Sequence, residues 1–344
     1  MDVLIVGFGI AGVCIANQLK KNNISFHVID SPKNSSSLVA GGVMNPAILK
    51  RYTMSWDGVE FYKYAIKFYE KISKILDYDV YNQISIKRIF SSEGEHNKWN
   101  EASGKKDLSF FLKKEIELKI SDKINTPYGF GKLKNVGRLN FREIISRYKS
   151  SLNEKYREEM FDYSKIVIYD NQVKYKNNIY KKIIFCEGYS MKFNPFFKHL
   201  PLPGNKGEMF IIKAPLLSNK IILKGKFFIV PLKKDFFWVG ATFSNYDKSI
   251  NKTSLAKTEL LSELKNKLNI PFEVVSHNVQ IRPTVIDRRP LLGSHPEIKN
   301  FFVFNGLGTR GSLMAPRLSK FLFNYMFLDK ALPNSIDIKR FIQD

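Results

Sequence analysis

The order of apolar and polar positions opens with a β-rich run at 3–6, a helically spaced segment at 10–21 and a second β-rich run at 25–30 that ends on Asp30. Strand, helix and strand therefore fit inside thirty residues. A polar loop is expected at 31–37, followed by a Gly-rich apolar stretch at 38–48. Between 56 and 76, Val59, Tyr62, Ile66, Tyr69, Ile72 and Leu76 recur at helical intervals, so a long amphipathic helix is predicted there. Residues 80–135 mix a short strand at 84–90 with charged, helix-compatible pieces, and Gly129-Phe130-Gly131 closes them. A helix at 142–152 leads into three β-like runs at 165–169, 172–175 and 179–186. Runs at 209–212, 221–223, 227–231 and 236–243 have the pattern of an antiparallel sheet. A helix at 254–268, a buried strand at 301–304 and a helix at 312–327 complete the order.

The αβ material at the start, near 140–190 and at the end brackets the antiparallel runs. This arrangement implies an α/β chain in which a discontinuous nucleotide-binding domain (1–55, 136–195 and 276–344) carries an inserted α+β antiparallel-sheet substrate domain (56–135 and 196–275).

Length and composition narrow the class. With 344 residues and 44% hydrophobic content the chain can bury a substantial core. Met1-Asp2-Val3 runs straight into the first strand without a basic leader, so no secretory signal is expected. The apolar stretch 4–19 is interrupted by Gly7, Gly9, Gly12, Asn17 and Gln18 and is too short to span a bilayer. Cys14 and Cys186 both lie in apolar segments and form no CxxC pair, which fits buried thiols in a reducing cytoplasm. The five histidines are scattered, with no spacing that suggests a metal site. The net charge of +23 has two readings: a surface that meets RNA or an anionic membrane, or a lysine-rich composition with a generic solvated surface.

Gly7-Phe8-Gly9-Ile10-Ala11-Gly12 sits between the first strand and the first helix. Such a loop turns tightly at its first glycine, lets backbone approach a pyrophosphate at the second, and packs helix on strand at the third. Asp30 stands eighteen residues after Gly12, at the end of the second strand, where an acid accepts hydrogen bonds from an adenosine ribose, with Ser31 beside it. Between NAD and FAD this loop does not choose. Ala40-Gly41-Gly42-Val43-Met44 is a glycine pair in an apolar loop, suited to lying against a flat ring, although an ordinary turn reads the same way alone. Gly306-Leu307-Gly308-Thr309-Arg310-Gly311-Ser312 again joins a strand to a helix but has no following acid, so it is a poor second nucleotide site. A helix start there would instead stabilise negative charge on a reduced flavin. Gly188, closing the 179–186 run, belongs with these cofactor contacts.

These motifs, with the run from Arg282 to Gly293 and the closing segment from Gly306 to Pro316, resemble the D-amino-acid oxidase and glycine oxidase superfamily almost end to end. Lys206 to Met209 and Gly240 to Phe243 are similar, within it, to the oxidoreductase domain of bifunctional tRNA 5-methylaminomethyl-2-thiouridine biosynthesis enzymes. The resemblance implies a Rossmann-type fold, bound FAD and oxidation of a C–N bond. It implies that Arg282 holds a substrate carboxylate and that Arg310 lies over the same pocket; the alternatives are a buried arginine tying strands together and a contact at a helix start. Arg288 and Arg289 are expected to be structural or phosphate-facing. Phe228 replaces a substrate-facing tyrosine of the glycine oxidases, and Gly308-Thr309-Arg310-Gly311 departs from their last motif, which argues against free glycine. No cysteine follows Cys186, so FAD is expected to be noncovalent. A small amine or amino acid and a modified tRNA both stand as substrates. A methyltransferase domain, usual in the tRNA enzymes, has no room in this chain.

Overall fold

The computed structural model describes residues 1–31 and 35–341. Two sheets organise it. The first has six strands in the order Tyr156–Glu158, Phe26–Asp30, Val3–Val6, Lys182–Phe185, Phe301–Asn305 and Leu291–Ser294, parallel except for the last pair. Every side chain of Val3–Val6 is buried because both faces are covered, as a parallel sheet requires. Val3 and Ile5 pack under the helices Ile10–Lys21 and Gly311–Phe327, while Leu4 and Val6 meet Val173, Tyr175 and Tyr180 of a three-stranded antiparallel sheet.

The second sheet has eight strands in the order Glu273–Arg282, Asn205–Lys213, Phe236–Gly240, Phe228–Pro231, Ile222–Lys224, Ile86–Ile89, Phe130–Leu133 and Leu112–Glu117. Its pairs are antiparallel except Ile222–Lys224 with Ile86–Ile89. Alternation decides its faces. Phe210, Ile212, Leu223, Ile229, Phe237 and Val239 pack on Leu260 and Leu264 of the helix Ser254–Lys267. Met209, Ile222, Val230 and Trp238 turn the other way and join the large core shared with the first sheet's helices.

The helix Gly58–Leu76 buries Phe61, Tyr62, Ala65, Phe68, Tyr69, Ile72 and Leu76 along one stripe. Burying each large side chain contributes roughly 1.5–3 kcal/mol. The stripe packs on Gly311–Phe327, where the Tyr69 hydroxyl donates to the Ser312 carbonyl at 2.9 Å. Three strand predictions change. The ten-residue strand Glu273–Arg282 is absent from the sequence pattern because it is a sheet edge with mostly half-exposed, polar positions. The run at 179–186 divides between Asn178–Tyr180 and Lys182–Phe185, which belong to different sheets. Gly129-Phe130-Gly131 starts a strand rather than ending a segment; a Cβ on Gly131 would stand 2.2 Å from the Trp99 ring. Of the polar loop at 31–37, residues 32–34 lie outside the described residues, and Ser36–Val39 is a short helix. No helix among the described residues is long and apolar enough to cross a membrane.

Candidate functional site

A cavity of about 1440 Å³ runs from the first glycine loop to the floor formed by the second sheet. That exceeds the usual span of about 300–1,000 Å³ for a small-ligand pocket, leaving room for a long cofactor and a substrate together. At one end Gly7 has φ +93°, and a Cβ there would meet the Cys186 carbonyl oxygen at 2.6 Å. A Cβ on Gly12 would stand 2.3 Å from the Gly7 carbonyl oxygen, so the helix lies directly against the turn. Helix Ile10–Lys21 starts on Gly9, which offers no side-chain cap, and has no acid in its first turn; the Ile10 N–H donates to Ser37 Oγ at 3.2 Å, and the N-terminus is suited to phosphate. Asp30 accepts from the Phe8 backbone N–H at 2.8 Å and from the Tyr156 hydroxyl at 3.3 Å. Burial raises its pKa against those two bonds. The acid thus fixes the glycine loop from behind while facing the cavity.

Toward the second sheet, the loop around Gly41 and Gly42 is held on both sides. Gly42 has φ +74° and its Cβ would lie 2.0 Å from the Leu139 carbonyl oxygen; a Cβ on Gly41 would lie 2.8 Å from the Trp238 indole. Trp238 donates through Nε1 to the Val39 carbonyl at 2.8 Å. The C-terminal loop closes the same region: Ser312 Oγ donates to the Val43 carbonyl at 3.0 Å, and Asn305 Nδ2 to the Gly188 carbonyl at 2.8 Å. Helix Gly311–Phe327 also begins without a side-chain cap or an acid. Close backbone cradles, two helix starts without an acid and a continuous cavity fit a dinucleotide carrying a flat ring. Of the expected cofactor contacts, Gly12, Met44, Gly306 and Arg310 stand behind the wall and the others line it.

The two arginines occupy different places. Arg282 ends its strand on the cavity wall, beside Gly207, whose Cβ would stand 2.2 Å from Nη2. It donates to Asn205 Oδ1 at 2.6 Å, to the Thr242 carbonyl at 3.1 Å and to the Lys206 carbonyl at 3.5 Å. Arg310 donates to the Asn45 carbonyl at 3.0 Å. Burial pushes both guanidinium groups down to about 10. Among the described residues neither pairs with a carboxylate. A buried cation without a counter-charge is costly, so such a site favours an anionic ligand. Arg289 lies 4.7 Å from the Trp56 ring centroid, away from the cavity.

Several wall residues escaped the sequence reading. Met209, Trp238 and Asn278 meet across neighbouring strands, and that register has no local signature. Glu187 sits at the nucleotide end, taking hydrogen bonds from the Tyr163 hydroxyl and from Asn194 Nδ2 at 2.7 Å; burial pushes its carboxyl up to about 7. Buried Lys206 donates to Asp247 and to the Asn251 carbonyl, both at 2.5 Å, and Glu208 accepts from Thr253 Oγ1 at 2.8 Å with His277 Nε2 also 2.8 Å away. These contacts strap residues 244–253 beside the cavity mouth, where Lys248, Lys252 and Ile250 line the opening. Among the described residues, no group of three or more His, Cys, Asp or Glu is placed to hold a metal ion.

Residues 2–324 match the family model described as FAD dependent oxidoreductase, DAO. A curated tRNA 5-methylaminomethyl-2-thiouridine biosynthesis bifunctional protein from Idiomarina loihiensis is 30% identical over 127 residues, 35% of this chain and 21% of the relative. Its counterpart from Campylobacter jejuni subsp. doylei is 25% identical over 179 residues, 43% of this chain and 29% of the relative. The chain therefore spans less than a third of these relatives. Among solved structures, glycine oxidase from Geobacillus kaustophilus superposes with a TM-score of 0.80 at 18% identity, covering 99% of this chain and 97% of that one. Iminodiacetate oxidase from Chelativorans sp. BNC1 gives 0.79 at 16% identity, covering 98% of each. Such identities establish likeness of fold.

Proposed function

The chain belongs to the DAO family of FAD-dependent oxidoreductases, and from that premise we propose that it oxidises the C–N bond of an amine or amino acid bearing a carboxylate. The observation that carries this reading is Arg282, a desolvated guanidinium on the cavity wall held only by neutral acceptors. A substrate carboxylate supplies the missing counter-charge, and the planar fork fixes the orientation of the α-carbon. Arg310 reinforces the positive field from behind the glycine loop. The loops at Gly7–Gly12, Gly41–Gly42 and Gly308–Ser312 would hold FAD noncovalently, with the six-stranded sheet as cofactor domain and the eight-stranded sheet as substrate domain. When bound, the flavin supplies a two-electron acceptor for hydride from the α-carbon. The resulting imine hydrolyses in water, and oxygen is the proposed terminal acceptor, giving peroxide.

The test is anaerobic bleaching of the flavin band by glycine, sarcosine and iminodiacetate, followed by peroxide release in air. A yellow protein that no amine bleaches refutes C–N oxidation. A second reading has support of its own: removal of a carboxymethyl group from a wobble-uridine side chain of tRNA. The cavity mouth carries Lys248 and Lys252 together with outward-facing Phe243, Ile250 and Phe193, and Tyr246 between them is 96% exposed. Lysines interleaved with solvent-exposed rings suit a single-stranded nucleic acid, and the curated relatives carry a tRNA-modification name. Bleaching by tRNA from cells lacking this activity, with salt-sensitive binding, favours that reading; bleaching by small amines with no tRNA binding refutes it.

A further inference from the structure

The floor of the cavity is a single row of cross-strand partners. Lys224 stands opposite Phe228, Phe228 opposite Gly240, Gly240 opposite Met209, and Met209 opposite Asn278. All five line the cavity. The row continues away from it to Arg88, the parallel partner of Lys224. Arg88 is fully committed: Nη2 meets both oxygens of Glu95 at 2.8 and 3.2 Å, Nε faces the Tyr52 hydroxyl at 3.4 Å, and Nη1 holds the carbonyls of Gly225 at 2.8 Å and Lys224 at 3.4 Å. It fixes the backbone under Lys224 and has its own counter-ion.

Lys224 has none. Its Nζ donates to the Lys226 carbonyl at 2.6 Å and lies 4.7 Å from the Phe228 ring centroid, and among the described residues it makes no ion pair with a carboxylate. Burial first, then the charge of Arg88, push the lysine down to about 8, while Glu263 and Glu95 act more weakly in the opposite sense. A lysine in this setting changes protonation near neutral pH, which is the condition for a general base.

Amine oxidation is assisted by such a group. A substrate ammonium has no lone pair, and until it loses a proton the α C–H bond cannot break with its electrons going to an acceptor. Arginines cannot take that proton. Asp30 and Glu187 lie at the nucleotide end of the cavity. His277 also contributes to the cavity lining, but its ring packs edge-on against Phe210, on the other face of the sheet from Asn278, with Nε2 2.8 Å from Glu208.

We propose that Lys224 is a catalytic residue of this oxidation: its neutral ε-amine takes a proton from the substrate ammonium, breaking one substrate N–H bond and forming one Nζ–H bond. Positive charge passes from substrate to lysine, and the freed lone pair stays on the substrate nitrogen as the α C–H bond breaks. The proton then leaves to solvent from the Lys226 side of the strand. This step rests on the C–N oxidation reading.

The test has two arms on the FAD-loaded protein. Competitive acetylation between pH 6 and 11, read by peptide mass spectrometry, is expected to give Lys224 a midpoint near pH 8, well below the surface lysines; a midpoint among those lysines overturns the proposal. Stopped-flow anaerobic reduction, with whichever of glycine, sarcosine or iminodiacetate bleaches the wild type, is expected to rise with pH to a plateau above about 8. Lys224→Met should lower the rate at pH 7 by roughly 10²–10⁴-fold and remove that rise. Lys224→Arg keeps the charge but cannot accept a proton, so it should match Lys224→Met. Recovery of wild-type rates by Lys224→Arg would mean an anion-binding lysine and overturns the proposal, as does a pH rise that survives in Lys224→Met. A wild type that no amine bleaches instead removes the C–N reading and the proposal with it; that outcome is recognisable because the acetylation arm needs no turnover.

Discussion

Replacing Arg282 with Met tests the substrate assignment most directly. The side chain is close in length and apolar, so it fills the space beside Gly207 without a charge. In the wild type the guanidinium reaches the Asn205 side-chain oxygen and the backbone carbonyls of Lys206 and Thr242, all neutral acceptors. The free enzyme therefore carries an uncompensated cation, and its removal relieves a desolvation cost while losing those three contacts. Because these effects oppose each other, the melting temperature of the FAD-loaded variant should stay within a few degrees of wild type. Substrate binding has no such offset. Hydrogen bonds to charged partners contribute about 1.5–3 kcal/mol each, so losing a two-pronged contact should weaken binding by about 3–6 kcal/mol. That corresponds to about 10²- to 2 × 10⁴-fold in dissociation constant. The assay is the amine concentration that half-saturates the rate of anaerobic flavin reduction, with FAD content and melting temperature measured alongside. Arg282→Lys should recover part of the affinity, since the charge survives and the fork does not. An unchanged half-saturation constant in a fully FAD-loaded Arg282→Met enzyme would refute the carboxylate role.

Other consequences follow from single positions. Gly42→Ala places a Cβ 2.0 Å from the Leu139 carbonyl oxygen at φ +74°, so FAD affinity read by flavin fluorescence should fall at least tenfold, with a lower melting temperature. Wild-type affinity in that variant would show the loop does not touch the cofactor. Burial raises the Glu187 carboxyl from its ordinary value of 4.5 to about 7, so its contribution is fully present below pH 4.5 and is lost as pH rises toward 7. The apoprotein melting temperature should decline across that window and level off above it, and Glu187→Gln should flatten the slope; an identical slope in the variant would assign it to other groups. Acid precipitation should release all the yellow colour into the supernatant, whereas colour retained in the pellet would mean a covalent flavin.

What the sequence revealed was whatever the backbone demands of a particular residue. Gly7, Gly12 and Gly42 are legible because a side chain there would strike a carbonyl within 2.6 Å, and only one residue type avoids that. Arg282 is legible through its place in a resembling motif. Lys224, Phe228, Gly240, Met209 and Asn278 come from five separate strands, and they become neighbours only through sheet register. The edge strand Glu273–Arg282 hid for a related reason: with one side unpaired, its pattern lacks the apolar alternation that marks interior strands. The placement of Arg310 behind the wall rather than on it depends on one hydrogen bond to Asn45, which no spacing in the sequence encodes.

The single parallel pairing in the large sheet, Ile222–Lys224 against Ile86–Ile89, governs how the protein is made. Strands Ile86–Ile89, Phe130–Leu133 and Leu112–Glu117 leave the ribosome long before the residues that complete their sheet, and loops that long close slowly. Until then Ile86–Ile89 is an open edge able to pair with another nascent chain. The six-stranded sheet waits longer still, since Phe301–Asn305 lies inside it, between Lys182–Phe185 and Leu291–Ser294. The large sheet is complete only once Glu273–Arg282 has been made, and the six-stranded sheet only once Phe301–Asn305 has. Prematurely ended translation products would therefore present unpaired β-edges rather than a folded half, which makes them natural clients for chaperones and proteases.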